Sequence, residues 1–220
     1  MPESFFAGDY MTNDVSIIID GHRIAAEKGA TILEVALRNN IYIPHLCYYP
    51  GLKPKGACRL CMVEIDGKEL VTACRTEVED GMVINTWTPK VERVVRPIAE
   101  LLIANHHATC KDCPGTGKCE LQKIRAKLKI QRSRVERLRS PQGALPIIAL
   151  NRYLDYDPNK CVCCGICIDT CSDINGTGFL YFVDRGYSTK VAFFGDESKC
   201  ESCMKCAMRC PVGVLIPSKR

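Results

Sequence analysis

The chain has 220 residues, 46% of them hydrophobic, with 30 Lys and Arg against 25 Asp and Glu for a formal charge of +5. That length holds one or two ordinary domains or three small ones, and no apolar run reaches the eighteen or so residues of a membrane helix, so any membrane contact is expected through a partner. A disulfide scaffold would account for 16 Cys only in a secreted protein, and Met1 to Tyr10 has two acidic residues and no apolar core, unlike a secretory leader; a cytoplasmic chain with reduced thiols is expected.

A β-branched run from Val15 to Ile19, a turn at Asp20 and Gly21 and a second run from His22 to Ala26 predict a hairpin, because an Asp-Gly pair tolerates the positive φ of a type I′ turn. Thr31 and Glu34 then form a capping box for a helix carrying Ile32, Val35, Ala36 and Leu37, and Pro44 ends the extended stretch after it. Hairpin then helix is the opening of a β-grasp ferredoxin. Cys47, Cys58, Cys61 and Cys74 follow with the spacing C-x10-C-x2-C-x12-C, the first three in a loop with Gly51, Pro54 and Gly56. In such a loop backbone amides approach sulfur and stabilise its negative charge, the arrangement of a [2Fe-2S] site, although plant-type ferredoxins have four residues in the first gap. A strand from Cys61 to Ile65, a turn at Asp66 and Gly67 and a return from Glu69 to Cys74 complete the site. His45 is expected to have a packing or surface role and not to ligate. A strand from Met82 to Thr86 closes a first domain at residues 13–88.

Thr88 and Pro89 start a helix on which Val91, Val94, Val95, Ile98, Leu101 and Leu102 recur at helical spacing and are expected to face the core, with a kink or restart at Pro97. This helix delivers His106 to Cys110, Cys113 and Cys119, as H-x3-C-x2-C-x5-C. Three Cys cannot close a four-iron cluster. His106 is the candidate fourth ligand through a ring nitrogen, with His107 as the competing candidate; an imidazole in place of a thiolate removes one negative charge and eases reduction. Gly115 to Lys118 resembles a phosphate loop but fails it, with Asp112 where the first Gly is required and Cys119 in place of Ser or Thr. No G-x-G-x-x-G run is present, so the chain is not expected to bind a dinucleotide. From Lys123 to Arg139 eight Lys and Arg stand against Glu136 alone. A solvated helix face is the plain expectation and an acidic partner surface the next; nucleic acid is disfavoured because the stretch has no aromatic side chain for base stacking. Ser140 to Gly143 form a linker that ends a second domain at 89–140.

In the third segment, 141–220, Cys161, Cys164, Cys167 and Cys171 are repeated as Cys200, Cys203, Cys206 and Cys210, both runs C-x2-C-x2-C-x3-C, and Pro211 follows the second. Three close thiolates wrap one four-iron cube while the fourth typically reaches across to the other. Cys161, Cys164, Cys167 and Cys210 are therefore assigned to one [4Fe-4S] cluster, and Cys171, Cys200, Cys203 and Cys206 to another. Structural zinc would leave no use for the third close Cys. Ser172 to Lys199 is expected to be an insertion with strand hairpins whose aromatics pack over the clusters, and Cys163, the one Cys left over, a buried non-ligand. With one [2Fe-2S] and three [4Fe-4S] clusters, the oxidised clusters with their ligands sum to about −7, so the basic excess reads first as counter-charge.

With these motifs the sequence closely resembles the N-terminal electron-transfer module shared by the large iron-sulfur subunit of respiratory complex I, the iron-only hydrogenases and the diaphorase subunit of NAD-linked nickel-iron hydrogenases. The resemblance runs from about Val15 to Leu215 and is most specific at His106, Cys110, Cys113, Cys119, Glu120, Leu121 and Gln122. It implies an α+β chain of a β-grasp [2Fe-2S] domain, a small helical [4Fe-4S] domain with one His and three Cys ligands, and a two-[4Fe-4S] bacterial ferredoxin-like domain. Because the chain stops ten residues after Cys210, it is expected to be a separate small subunit with no catalytic residue of its own. It would relay single electrons between a flavoprotein NAD(P)-binding subunit and a catalytic subunit, best a NAD(P)-linked nickel-iron or bifurcating hydrogenase. The same relay in a formate dehydrogenase or another reductase, a free ferredoxin-like carrier and a zinc-dependent nucleic-acid binder are the rival readings.

Overall fold

The structure, a computed structural model, describes residues 14–106, 110–141, 143–176, 178–201 and 203–218; His107, the competing ligand, and Gln142 of the linker lie outside the described residues. Strands β1 (Asp14–Ile19) and β2 (His22–Glu27) pair antiparallel with Ile17 opposite Ile24. Their turn has Asp20 at φ 49° and Gly21 at φ 83°, as the Asp-Gly pair requires. Helix α1 (Ile32–Arg38) starts in the expected capping box: Thr31 Oγ1 accepts from the Glu34 N–H, and the Glu34 carboxylate accepts from the Thr31 N–H at 2.9 Å. Strands β3 (Met62–Ile65) and β4 (Glu69–Thr72) form a second hairpin about Asp66 and Gly67, and β5 (Val83–Asn85) runs parallel to β1 and antiparallel to β3, giving the sheet order β2-β1-β5-β3-β4. Ile17, Ile19, Val63 and Ile84 of the sheet and Ile32, Leu33 and Ala36 of α1 share one core and are all fully buried. Each large aliphatic side chain so placed stabilises the fold by about 1.5–3 kcal/mol before entropy is counted.

Helix α2 (Pro89–Ala104) begins at Thr88, whose hydroxyl accepts from the Val91 N–H, with Pro89 at the first position. It does not restart at Pro97. Val91, Val95, Ala99 and Ile103, four residues apart, make a continuous buried stripe that carries the helix across it. Leu101, expected in the core, is 51% exposed because it sits two residues beyond Ala99, about 160° round the helix from it and so on the side away from the stripe. Helices α3 (Glu120–Lys127) and α4 (Arg132–Leu138) pack on α2, and the buried Glu100 accepts from Arg134 Nε at 3.1 Å.

In the last segment β6 (Ile148–Ala149), β7 (Leu154–Tyr156) and β10 (Leu215–Pro217) form a sheet in the order β10-β7-β6, while β8 (Leu180–Val183) and β9 (Lys190–Phe193) make the hairpin expected between the Cys runs. Helices α5 (Ile166–Asn175) and α6 (Lys205–Met208) each begin one residue after a left-handed residue, Gly165 at φ 77° and Met204 at φ 44°. Both of these directly follow the second Cys of their run, so the sequence repeat is a repeat of backbone conformation as well. A second core joins α2, α3 and α4 to this segment through Val95, Ile124, Val135, Leu154, Val212 and Leu215. The architecture is α+β, and no helix among the described residues is long and apolar enough to cross a membrane.

Candidate iron-sulfur sites

Cys47, Cys58, Cys61 and Cys74 converge in the loop beside β3. The Cys58 N–H donates to Cys47 Sγ at 3.4 Å, and the thiols of Cys58 and Cys61 interact with those of Cys47 and Cys74 in turn. The hydrogen bond from Cys58 pulls the Cys47 thiol down to about 6 against the effect of burial, and Cys61 lowers Cys74 in the same way. Their partners move oppositely: an adjoining thiolate and then burial push Cys58 and Cys61 up. Four mutually close, desolvated thiols therefore resist full ionisation unless a cationic centre joins them. His45 is engaged locally, with Nδ1 2.8 Å from the Ile43 carbonyl and its ring edge-on to Tyr48.

His106, Cys110, Cys113 and Cys119 line one open cavity of about 400 Å³, with Arg125, Arg132 and Arg139 on its wall. His106 Nδ1 lies 2.9 Å from the Lys160 carbonyl; a proton donated there leaves the lone pair on Nε2, the tautomer a metal requires. Cys119 is buried at the start of α3, and burial pushes its thiol up. The turn over Gly115 to Lys118 brings the chain back to it, and Gly213 sits so close that a Cβ there would lie 2.6 Å from the Gly115 nitrogen. Glu120 binds three parts of the chain together: its N–H donates to the Pro211 carbonyl at 2.9 Å, and its carboxylate accepts from Tyr42 Oη at 2.7 Å and pairs with Lys123 at 3.3 Å.

Each of the two final runs shares a cavity with one Cys of the other. Cys161, Cys164, Cys167 and Cys210 line one cavity; Cys171, Cys200, Cys203 and Cys206 line another. Burial pushes Cys164 up to about 12 with Cys210 as its strongest thiol neighbour, and burial pushes Cys206 up to about 12 with Cys171 as its own. Amide protons are aimed at the sulfurs. The N–H groups of Cys163, Val214 and Phe179 donate to Cys161, Cys210 and Cys171, each at 3.4 Å, and Asn151 Nδ2 donates to Cys200 at 3.5 Å. Phe179 and Phe193 line the second cavity and Phe182 the first, while Tyr181 and Phe194 are exposed.

Two hydroxyls escaped sequence reasoning. Tyr156 Oη and Thr170 Oγ1 are buried without a hydrogen-bond partner, Tyr156 on the wall of the Cys161 cavity and Thr170 on that of the Cys171 cavity. No sequence signal marks either, since the orphaning depends on what surrounds them in three dimensions. Cys163, expected to be buried, is exposed. Its φ of 49° turns the side chain outward, with Sγ 3.9 Å from the Thr189 carbonyl.

The donor set fits iron-sulfur clusters. Among the described residues no three His, Cys, Asp or Glu side chains close round a single metal ion; the thiols of the last two groups are instead spaced about cavities, with backbone N–H donors directed at sulfur and a buried hydroxyl on each cavity wall. The groups also adjoin one another. Cys164 feels the charge of Cys47, Lys55 Nζ reaches Asp169 at 2.9 Å, and Arg209 stacks over Tyr49 at 4.8 Å, so the Cys161 group abuts the first Cys group. Through Lys160 it also abuts His106.

Residues 12–89 match the 2Fe-2S iron-sulfur cluster binding domain, residues 96–134 the NADH-ubiquinone oxidoreductase-G iron-sulfur binding region, and residues 160–214 the 4Fe-4S dicluster domain. A G-type subunit of the NADH-quinone oxidoreductase of Rhizobium meliloti is 35% identical over 92% of this chain and 24% of its own length. The alpha subunit of the NADPH-Fe(3+) oxidoreductase of Geobacter sulfurreducens is 36% identical over 92% and 24%, and the HndD subunit of the NADP-reducing hydrogenase of Solidesulfovibrio fructosivorans 32% identical over 92% and 36%. The chain thus spans about a quarter to a third of the length of these relatives. A chain of a crystal structure of a NAD+-reducing [NiFe]-hydrogenase in the H2-reduced state superposes with a TM-score of 0.78 at 28% identity, covering 93% of this chain and 88% of that one. With all three iron-sulfur regions present in order and these relatives aligned across nearly its whole length, the chain is an iron-sulfur electron-transfer module homologous to the N-terminal part of the NADH-quinone oxidoreductase G-type subunits.

Proposed function

We propose that the chain is a four-centre electron relay, with one [2Fe-2S] cluster and three [4Fe-4S] clusters in three units, 13–88, 89–140 and 141–220. The observation that carries this reading is the sorting of Cys and His into four separate groups, above all the crossing of Cys210 to the Cys161 run and of Cys171 to the Cys200 run. Cys47, Cys58, Cys61 and Cys74 would hold the two-iron cluster. His106, Cys110, Cys113 and Cys119 would hold one four-iron cluster; Cys161, Cys164, Cys167 and Cys210 a second; Cys171, Cys200, Cys203 and Cys206 a third. Such clusters supply one-electron redox chemistry without proton transfer.

The protein's own part is to set charge and access. Backbone N–H groups of Cys58, Cys163, Val214 and Phe179 neutralise thiolate charge at fixed positions. The Lys160 carbonyl fixes the His106 ring. Contacts of the Cys161 group with both the first group and His106 make it the junction of the relay, and the Cys171 group a branch from it.

The relay works as a subunit between a flavoprotein NAD(P)-binding subunit and a catalytic subunit, best a NAD(P)-linked hydrogenase. The likeness to a chain of a NAD+-reducing hydrogenase over 88% of that chain supports this reading above the formate dehydrogenase and free-carrier readings. His106→Ala tests the ligand assignment. It is expected to remove one four-iron signal from the electron paramagnetic resonance spectrum and leave three centres; four intact centres would refute the His assignment. Co-purification from the native cell tests the subunit reading: a flavoprotein is expected with the chain, and isolation of the chain alone refutes it.

A further inference from the structure

Eight basic residues lie on the loop and helices from Lys123 to Arg139, and intramolecular ion pairs absorb only some of them. Lys123 pairs with Glu120, Arg132 with Glu136 and Arg134 with Glu100. Arg125, Lys127, Lys129, Arg137 and Arg139 are exposed and have no carboxylate partner among the described residues. Arg125 and Arg137 only return a hydrogen bond to a backbone carbonyl of their own segment, of Ile130 and Ser133.

These charges are not spread at random. Arg125, Arg132 and Arg139 line the open cavity that holds His106 and its three Cys, and Arg125 and Lys129 flank exposed Cys110 in an adjoining depression. A four-iron centre with one His and three Cys ligands carries only about −1 and needs little counter-charge. The positive excess at this mouth therefore exceeds what the centre itself neutralises. With Glu136 on the same wall paired to Arg132, the surface keeps an outward-facing, net positive field, and the stretch has no stacking side chains.

We infer that the α3–α4 face is the docking surface for a redox protein with an acidic face, seated over the His106 cavity. Charge complementarity names the partner's chemistry: clustered Asp and Glu opposite Arg125, Lys127, Lys129, Arg137 and Arg139, which steer approach and fix orientation. The lack of Phe, Tyr or Trp between Lys123 and Arg139 argues against a single-stranded nucleic acid. The inference rests on the relay reading only for calling the partner a redox protein; the surface and its test do not need the clusters to be active.

The test is binding of the iron-loaded full chain to a strongly acidic [2Fe-2S] ferredoxin as probe, by calorimetry at rising salt. Affinity is expected to fall at least about tenfold as screening sets in. The double variant K127E/R137E reverses two exposed charges that neither line the cavity nor form an ion pair. It should lose about tenfold more in affinity at low salt, with K127Q/R137Q intermediate. Unchanged iron content and circular dichroism show that these variants are folded. Ferredoxin binding that ignores both salt and charge reversal overturns the inference, as does preference for a single-stranded RNA or anionic phospholipid vesicles over the acidic protein. Loss of iron from the unaltered chain would count against the relay reading instead.

Discussion

Replacing Thr170 by Val tests the cluster environment from inside the fold. Thr170 is fully buried, its hydroxyl has no partner, and it lines the cavity shared by Cys171, Cys200, Cys203 and Cys206. An unsatisfied buried hydroxyl costs about 1–3 kcal/mol, so such a group calls for an acceptor, and sulfur of a cluster in that cavity is one. Val keeps the shape and removes the donor. In the iron-free chain the substitution is expected to raise stability by up to about 1–3 kcal/mol, because it deletes an unmet polar group. In the iron-loaded chain it removes a donor that favours the more negative, reduced state. A net hydrogen bond of about 0.5–1.5 kcal/mol, if felt wholly by that state, corresponds to a potential lower by roughly 20–65 mV for one electron. A redox titration followed by electron paramagnetic resonance measures this; one four-iron centre should shift negative and the other centres should stay. Tyr156→Phe should do the same for the Cys161 group, where burial and then the Cys161 charge already push the Tyr156 hydroxyl up. Full cluster content with every potential unchanged in both variants would refute the reasoning.

Gly213→Ala places a Cβ 2.6 Å from the Gly115 backbone nitrogen at a φ of 67°, so a loss of about 1–3 kcal/mol is expected in chemical denaturation, with parting of the Cys119 turn from the C-terminal segment. Tyr42→Phe removes the 2.7 Å hydrogen bond to Glu120; denaturation should show a loss of about 1–3 kcal/mol with iron content unchanged. Asp157 gives a pH signature. Burial raises its carboxyl, but the ion pair with Lys160 and the hydrogen bonds from Asn159 outweigh this and hold it below the ordinary value of 3.8. A carboxyl depressed in the folded state stabilises above its unfolded value, and that stability is lost as pH falls through the folded one. Asp157→Asn should therefore reduce stability at neutral pH and flatten its decline below about pH 4, measured as denaturation midpoints across the acid range.

Local chemistry was legible in the sequence where it acts over a few residues. The Asp20-Gly21 turn, the Thr31–Glu34 box, the Thr88-Pro89 helix start and the strand hairpin between the final Cys runs all depend on neighbours in the chain, and all stand where expected. Leu101 was misjudged because a hydrophobic residue at roughly helical spacing need not share the angle of the stripe set by Val91, Val95, Ala99 and Ile103. Cys163 was misjudged because its direction follows from a left-handed backbone that composition does not reveal. Of the kink or restart expected at Pro97, the restart did not occur, since packing of α2 on both sides of it outweighs one missing donor. Tyr42 to Glu120 and Lys55 to Asp169 join positions 78 and 114 residues apart, beyond any local pattern.

Iron and acid-labile sulfide determined on anaerobically prepared full-length protein test the central claim most directly. The account predicts about fourteen iron and fourteen sulfide per chain, the sum for one two-iron and three four-iron clusters. Zinc without labile sulfide, or a colourless preparation with far less iron, would contradict it.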